Sequence, residues 1–143
     1  MQHLRWLILF AAVASVAADG PEKDDLAKLQ GEWVPESIQI GPKKTPAESL
    51  GSFRLTVEGD AWTMTTQGSK KYKVKIDPAK TPKHLDLIDE IGGKERVTPC
   101  LYEFRGDKLV VCRPYMQMKP NRPEKIEPDD TFIGVTVWKR EGK

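Results

Sequence analysis

Most enzymatic and metal chemistry draws on histidine and cysteine, and this 143-residue chain has only two of each. His3 lies in an N-terminal segment that reads as removable, which leaves His84. It follows Pro82-Lys83 beside an apolar alternation and has no Cys or His at metal-ligand spacing. A Ser-His-Asp set can be assembled around it only by choosing partners freely, so it reads as an ordinary surface histidine. Asp86, Asp89 and Glu90 gather near one strand end, and Asp129-Asp130 precede the last strand. Paired acids can do general acid–base work, but calcium needs regularly spaced oxygen ligands, and that spacing is missing. Asp60 and Asp107 follow turn glycines and serve turn geometry. No catalytic residue, metal site or cofactor is expected, and the chain reads as a non-enzyme.

Cys100 and Cys112 could form a disulfide if the protein is exported. The alternation over 97–113 sets Tyr102 and Phe104 with Leu109 and Val111 in one inward row and pairs Phe104 with Leu109. That register puts Cys100 opposite Arg113 and Cys112 on the other face. A bridge then needs a one-residue bulge, for which Pro99 is a site. A disulfide and two buried thiols stand as alternatives. Lys71, Lys73 and Lys75, with Lys80 and Lys83 behind them, form a basic row that could meet an anionic partner. Such a row is more often the solvent face of a strand, where charge also opposes sheet-to-sheet aggregation. No aromatic platform is interleaved with it, which disfavours nucleic acid. The stretch from Arg113 to Asp130 carries Tyr115, Met116 and Met118 among four prolines. It is either a lid over a barrel mouth or a stiff connector packed on the wall.

These residues must be positioned by a fold, and the chain is organised to make short antiparallel strands. Arg5 precedes an apolar run from Trp6 to Val16, and Val16-Ala17-Ala18 supplies small residues suited to signal cleavage after Ala18. The run is too short for a membrane span. Residues 1–18 therefore read as a signal peptide, 19–25 as a flexible tail and 26–143 as one domain. The localisation implied is periplasmic or extracellular, with no membrane span after cleavage. Without residues 1–18 the charges nearly cancel, at 22 Lys and Arg against 21 Asp and Glu, which gives no electrostatic case for nucleic acid.

Asp24-Asp25 can cap a short helix through Gln30. Gly31 turns the chain out of that helix, and Trp33 can plug one end of a barrel. Strands are expected at 32–40, 53–58, 61–65, 71–76, 84–88, 97–104, 108–113 and 131–140, with 41–50 and 89–96 as loops. In the clearest alternations Trp62, Met64, Tyr72 and Val74 point inward. Eight such strands can close an antiparallel up-and-down barrel, an all-β fold fronted by one short helix.

Leu29-Gln30-Gly31-Glu32-Trp33 resembles the Gly-x-Trp opening of lipocalin and calycin barrels. The chain from about 26 to 140 resembles a family of secreted, lipocalin-like domains of unknown function, found mainly in planctomycete bacteria. The pieces that carry the likeness are that opening, 76–87 (IDPAKTPKHLDL), 102–112 (YEFRGDKLVVC), Arg122-Pro123 and Trp138-Lys139-Arg140. The resemblance implies that Arg140 stacks over Trp33, completing a closure with Gly31. It implies no catalytic residues.

The functional expectation is binding of a small apolar or amphipathic ligand inside the barrel by Trp62, Met64, Tyr72, Val74, Tyr102 and Phe104. The alternative is a protein-interaction module or protease inhibitor of the cell envelope, acting through barrel-end loops around a filled core. A cavity favours the first; a filled core with an exposed apolar loop tip favours the second.

Overall fold

A computed structural model describes residues 20–115, 120–129 and 132–142. The expected signal peptide, with Met116, Met118 and Asp130, lies outside the described residues. The chain runs through a helix α1 (Pro21–Leu29) and nine strands: β1 (Gly31–Ile40), β2 (Lys43–Pro46), β3 (Arg54–Glu58), β4 (Ala61–Thr65), β5 (Ser69–Asp77), β6 (Lys83–Ile91), β7 (Lys94–Arg105), β8 (Lys108–Pro114) and β9 (Ile133–Arg140). Strands β3 to β9 pair antiparallel in chain order. Strand β1 then closes the ring, pairing with β3 on one side and with β9 from Trp33↔Arg140 to Ile40↔Gly134. The result is the expected eight-stranded barrel with one short helix, so its members have no free edges to protect.

Three local readings need correction. The 41–50 segment is not a plain loop: β2 folds back on β1 through Ser37↔Pro46 to Ile40↔Lys43 as a ninth strand outside the closed ring. Its residues are mostly exposed, so no apolar alternation marks it. The 89–96 segment is also not a loop. Gly92 and Gly93, both at positive φ (60° and 78°), make a two-residue hairpin turn between Ile91 and Lys94. The helix starts at Pro21 behind Gly20, not at an Asp24-Asp25 cap, so most of the expected flexible tail is helical.

The alternating rows point where the pattern implied. Leu55, Val57, Trp62, Tyr72, Val74, Ile76, Leu85, Leu87, Tyr102, Leu109 and Val111 form one buried core with Trp33 and Trp138. Trp33, Trp62, Trp138 and Tyr102 are each at most 2 % exposed, and they fill the ring. A smaller apolar cluster lies outside the wall, where Leu101, Cys112 and Ile133 are covered by Ile126 and Val135. Among the described residues, no helix is long and apolar enough to cross a membrane.

Candidate functional site

The two ends of the barrel are built differently. At one end α1 leads directly into β1, and its last turn is tied to Trp33 and Arg140. The Trp33 indole Nε1–H donates to the Leu29 carbonyl at 2.9 Å. The Arg140 guanidinium lies over the Trp33 ring, 3.9 Å from its centroid, and donates to the carbonyls of Gln30 and Lys28. Arg140 thus combines a cation–π contact with satisfaction of helix-terminal carbonyls. Gly31 makes room for it: at φ 113°, a Cβ there would stand 2.9 Å from Arg140 Nη1. The structure brings together the three residues of the expected closure.

The same end holds a polar latch that the sequence reading missed. Asp25, read as a cap, is buried and accepts from the Tyr102 hydroxyl and from Lys83 Nζ, both at 2.8 Å. Burial, then the bond to Asp25, hold the Tyr102 phenol well above its usual range. Phe104 meets Tyr102 edge-on at 5.9 Å, and Lys28 Nζ lies 5.6 Å from the Phe104 centroid. Tyr102 and Phe104 are therefore parts of the helix-covered closure.

The opposite end is not covered by α1. Arg113, at the end of β8, lies in the row of Leu109 and Val111 and turns its guanidinium inward. Its Nη1 sits 3.7 Å from the Met64 sulfur, and its head lies 4.8 Å from the Tyr115 ring centroid and 5.9 Å from that of Tyr72. Tyr115 is seated on Gly134, where a Cβ would come within 2.5 Å of the ring. Lys70 Nζ stands 5.5 Å from the Tyr72 centroid, so this tyrosine has two cationic neighbours. Lys70 also pairs at 2.8 Å with Asp89, which Arg96 grips through two hydrogen bonds of 3.1 and 2.9 Å. Burial would raise the Asp89 carboxyl, but these two cations outweigh it and hold its pKa below the usual value.

The six residues expected to line one ligand cavity do not do so. Trp62 and Met64 border a small void with Leu87, Val111, Arg113, Tyr115, Thr136 and Trp138, and its volume is about 10 Å³. Tyr72 reaches that region through Arg113, Val74 is packed in the core, and Tyr102 and Phe104 belong to the other end. Large inward side chains fill the space that smaller ones would have left as a pocket.

The expected carboxylate cluster is also divided by strand alternation. Asp89 faces the rim, while Asp86 faces outward and meets Arg122 Nη2 at 2.6 Å. Among the described residues no group of three His, Cys, Asp or Glu could hold a metal ion. His84 is half-buried on the outer face, where burial, then Arg122 and Lys80, lower its pKa.

The candidate disulfide is corrected. The register Leu101↔Cys112 has no bulge at Pro99, so Cys100 lies inside the barrel and Cys112 outside it. Both are buried free thiols, and burial raises Cys100 to about 12 and Cys112 to about 11. The Cys112 thiol donates to the Lys125 and Glu127 carbonyls, and Arg122 Nη1 donates to the Cys100 carbonyl at 2.7 Å. The described part of the long connector, 120–129, is therefore packed on the outer wall and is not a lid.

Comparison with protein-family models, with curated proteins and with solved structures gives no match to this chain. Function must accordingly be argued from the two ends themselves. One is closed by backbone-directed bonds. The other gathers Lys70 and Arg96 on a buried carboxylate, Asp89, and places Arg113 among Met64, Tyr72 and Tyr115. Arg113 was noticed in the sequence as the residue opposite Cys100 and as the start of the connector, not as an inward charge. Its signal was its place in the Leu109–Val111 alternation, which puts a permanent charge on the inward row.

Proposed function

We propose that this is a non-enzymatic binding protein that takes a small ligand at the barrel end opposite α1. The observation that carries this reading is the inward Arg113, with aromatic and thioether neighbours and no carboxylate within ion-pair distance among the described residues. A half-buried charge without an opposite charge is unfavourable to a fold, and sites that keep one commonly use it for recognition. The filled core limits the ligand to a compact molecule, or to the terminal group of a larger one, and argues against a long apolar chain threaded through the barrel. Native mass spectrometry of the protein purified from its own host, followed by denaturation, tests this. A small mass released only on denaturation supports the reading. Indole resonances then locate the ligand, which should shift Trp62 and leave Trp33 unmoved. A shift confined to Trp33 would transfer the site to the helix-covered end.

A second reading is an interaction module acting through the same end. It is favoured by Ile91 at the Gly92-Gly93 hairpin and by Phe132 before β9, each 52 % exposed. Ile91→Asp discriminates: it should leave small-ligand binding intact and abolish association with a protein partner. We also propose export directed by residues 1–18, which predicts that the host's protein lacks them by intact mass.

A further inference from the structure

We infer that the small void at the end opposite α1 is a site for one small anion, held between the Nε–H of Arg113 and the Nε1–H of Trp62. This rests on the reading that ligand enters at that end, and it names the ligand's chemical class.

Among the described residues, two buried side-chain nitrogen or oxygen atoms meet no hydrogen-bond partner from the protein: Trp62 Nε1 and Arg113 Nε. They come from strands on different sides of the barrel, yet both residues line the same void. Both atoms are donors that cannot accept, so nothing they could give one another would satisfy either. A buried donor left unpaired is unfavourable, and native folds rarely keep one without a use.

The remaining surroundings select for negative charge. The Arg113 guanidinium is offered two aromatic faces, a sulfur and the side-chain hydroxyl of Tyr72, all of them uncharged. The nearby carboxylate, Asp89, is already held by Lys70 and Arg96, and Asp86 is held by Arg122 on the outer wall. Leu87, Val111 and Trp138 supply an apolar lining, in which a cation and an anion attract more strongly than in water. At about 10 Å³ the void admits roughly one atom-sized guest. A whole phosphate, sulfate or carboxylate ion is too large to enter, so a polyatomic anion would present a single oxygen. The fitting chemistry is a single anionic acceptor, either a free halide or one oxygen of a small carboxylate.

The two sources and the competing case of a bridging water are separable. Thermal unfolding of the purified protein is followed against chloride, bromide, formate and acetate at constant ionic strength, with fluoride as the strongly hydrated reference. A crystal soaked in bromide supplies the position. A saturable halide effect with an anomalous bromide peak between the two nitrogens supports the site and assigns it to a free anion. A saturable effect of formate or acetate alone supports it and assigns a carboxylate ligand.

In either case Trp62→Phe, which keeps the ring and deletes the donor, should weaken the apparent affinity about tenfold. Arg113→Lys, which keeps the charge and deletes the planar Nε–H, should weaken it as well, so the test does not depend on one variant folding. An anion effect unchanged in both variants overturns the inference. So does a water at the position with no saturable anion dependence. If a neutral small molecule still shifts the Trp62 indole, ligand entry at that end stands and only the anion assignment fails. If no ligand shifts it, both fail.

Discussion

At the scale of single residues, charge and aromatic faces decide most of what is particular to this protein. Arg140 has three tasks at once: it covers the Trp33 ring and donates to two carbonyls at the end of α1. Arg140→Ala should therefore cost about 2–3 kcal/mol in urea unfolding, combining the cation–π contact with lost bonds to backbone. Arg140→Lys should recover less than half, because an ammonium cannot present a planar fork to both carbonyls. At the far rim, Asp89 gives a pH signature. Its carboxyl is held below the ordinary value because the Arg96 and Lys70 bonds overcome burial. The stabilisation is therefore fully present above ~3.9, the unfolded aspartate value, and is lost as pH falls through the lowered folded value. Asp89→Asn should be less stable than wild type by about 1–2 kcal/mol at pH 7, a figure reduced because both cations are about half exposed. The gap should close in acid below pH ~4, as read by chemical denaturation at a series of pH values. Trp33 and Gly31 were legible from their spacing alone. Arg113 was not, because a charged residue in an inward row contradicts the pattern used to find inward rows.

Elements carry the next set of consequences, since each is held to the barrel by a small number of identifiable contacts. Helix α1 is fixed by Leu29 in the core and by Asp25 on Tyr102 and Lys83. Tyr102→Phe deletes one of two donors to a buried carboxylate and should cost about 1–2 kcal/mol, with the loss seen first as earlier amide exchange in α1. The 120–129 connector is held by Arg122 on Asp86 and on the Cys100 carbonyl, and it shields Cys112. Neither thiol should react with a disulfide reagent at pH 8 in the native state, since burial raises both toward their protonated forms. Both should titrate after denaturation. Arg122→Ala should speed native labelling of Cys112 by about tenfold and leave Cys100, inside the wall, unreactive. Strands with strict alternation, β3 to β5 above all, were readable because burial of one face forces the pattern. The short β2 was not, because its lysines bury nothing; the Gly92-Gly93 hairpin was read as a loop although two adjacent glycines favour just that turn. The cysteine pair shows the limit of the argument: the register gave opposite faces, and the even count could not override it.

For the molecule as a whole, the question is whether closure leaves room inside. An eight-stranded ring has an interior that side chains can just fill, and here Trp33, Trp62, Tyr102 and Trp138 are its largest buried side chains. The remaining void of about 10 Å³ is water-sized, so admitting a chain-like ligand would require displacing core side chains already in contact. An apolar fluorescent probe should therefore show no saturable enhancement with the folded protein at neutral pH. Leu87→Ala sharpens the comparison because Leu87 lines the void and is buried in the core. It should lower stability by about 2–5 kcal/mol and enlarge the space beside Trp62 and Trp138. Probe uptake by Leu87→Ala but not by wild type would mean that side-chain volume, rather than access, keeps the native interior closed. Stoichiometric uptake by wild type would instead mean that Tyr115 and the rim around it open to admit a larger guest. In that event the interior could not act as the rigid, filled support on which a compact-ligand site at the rim depends.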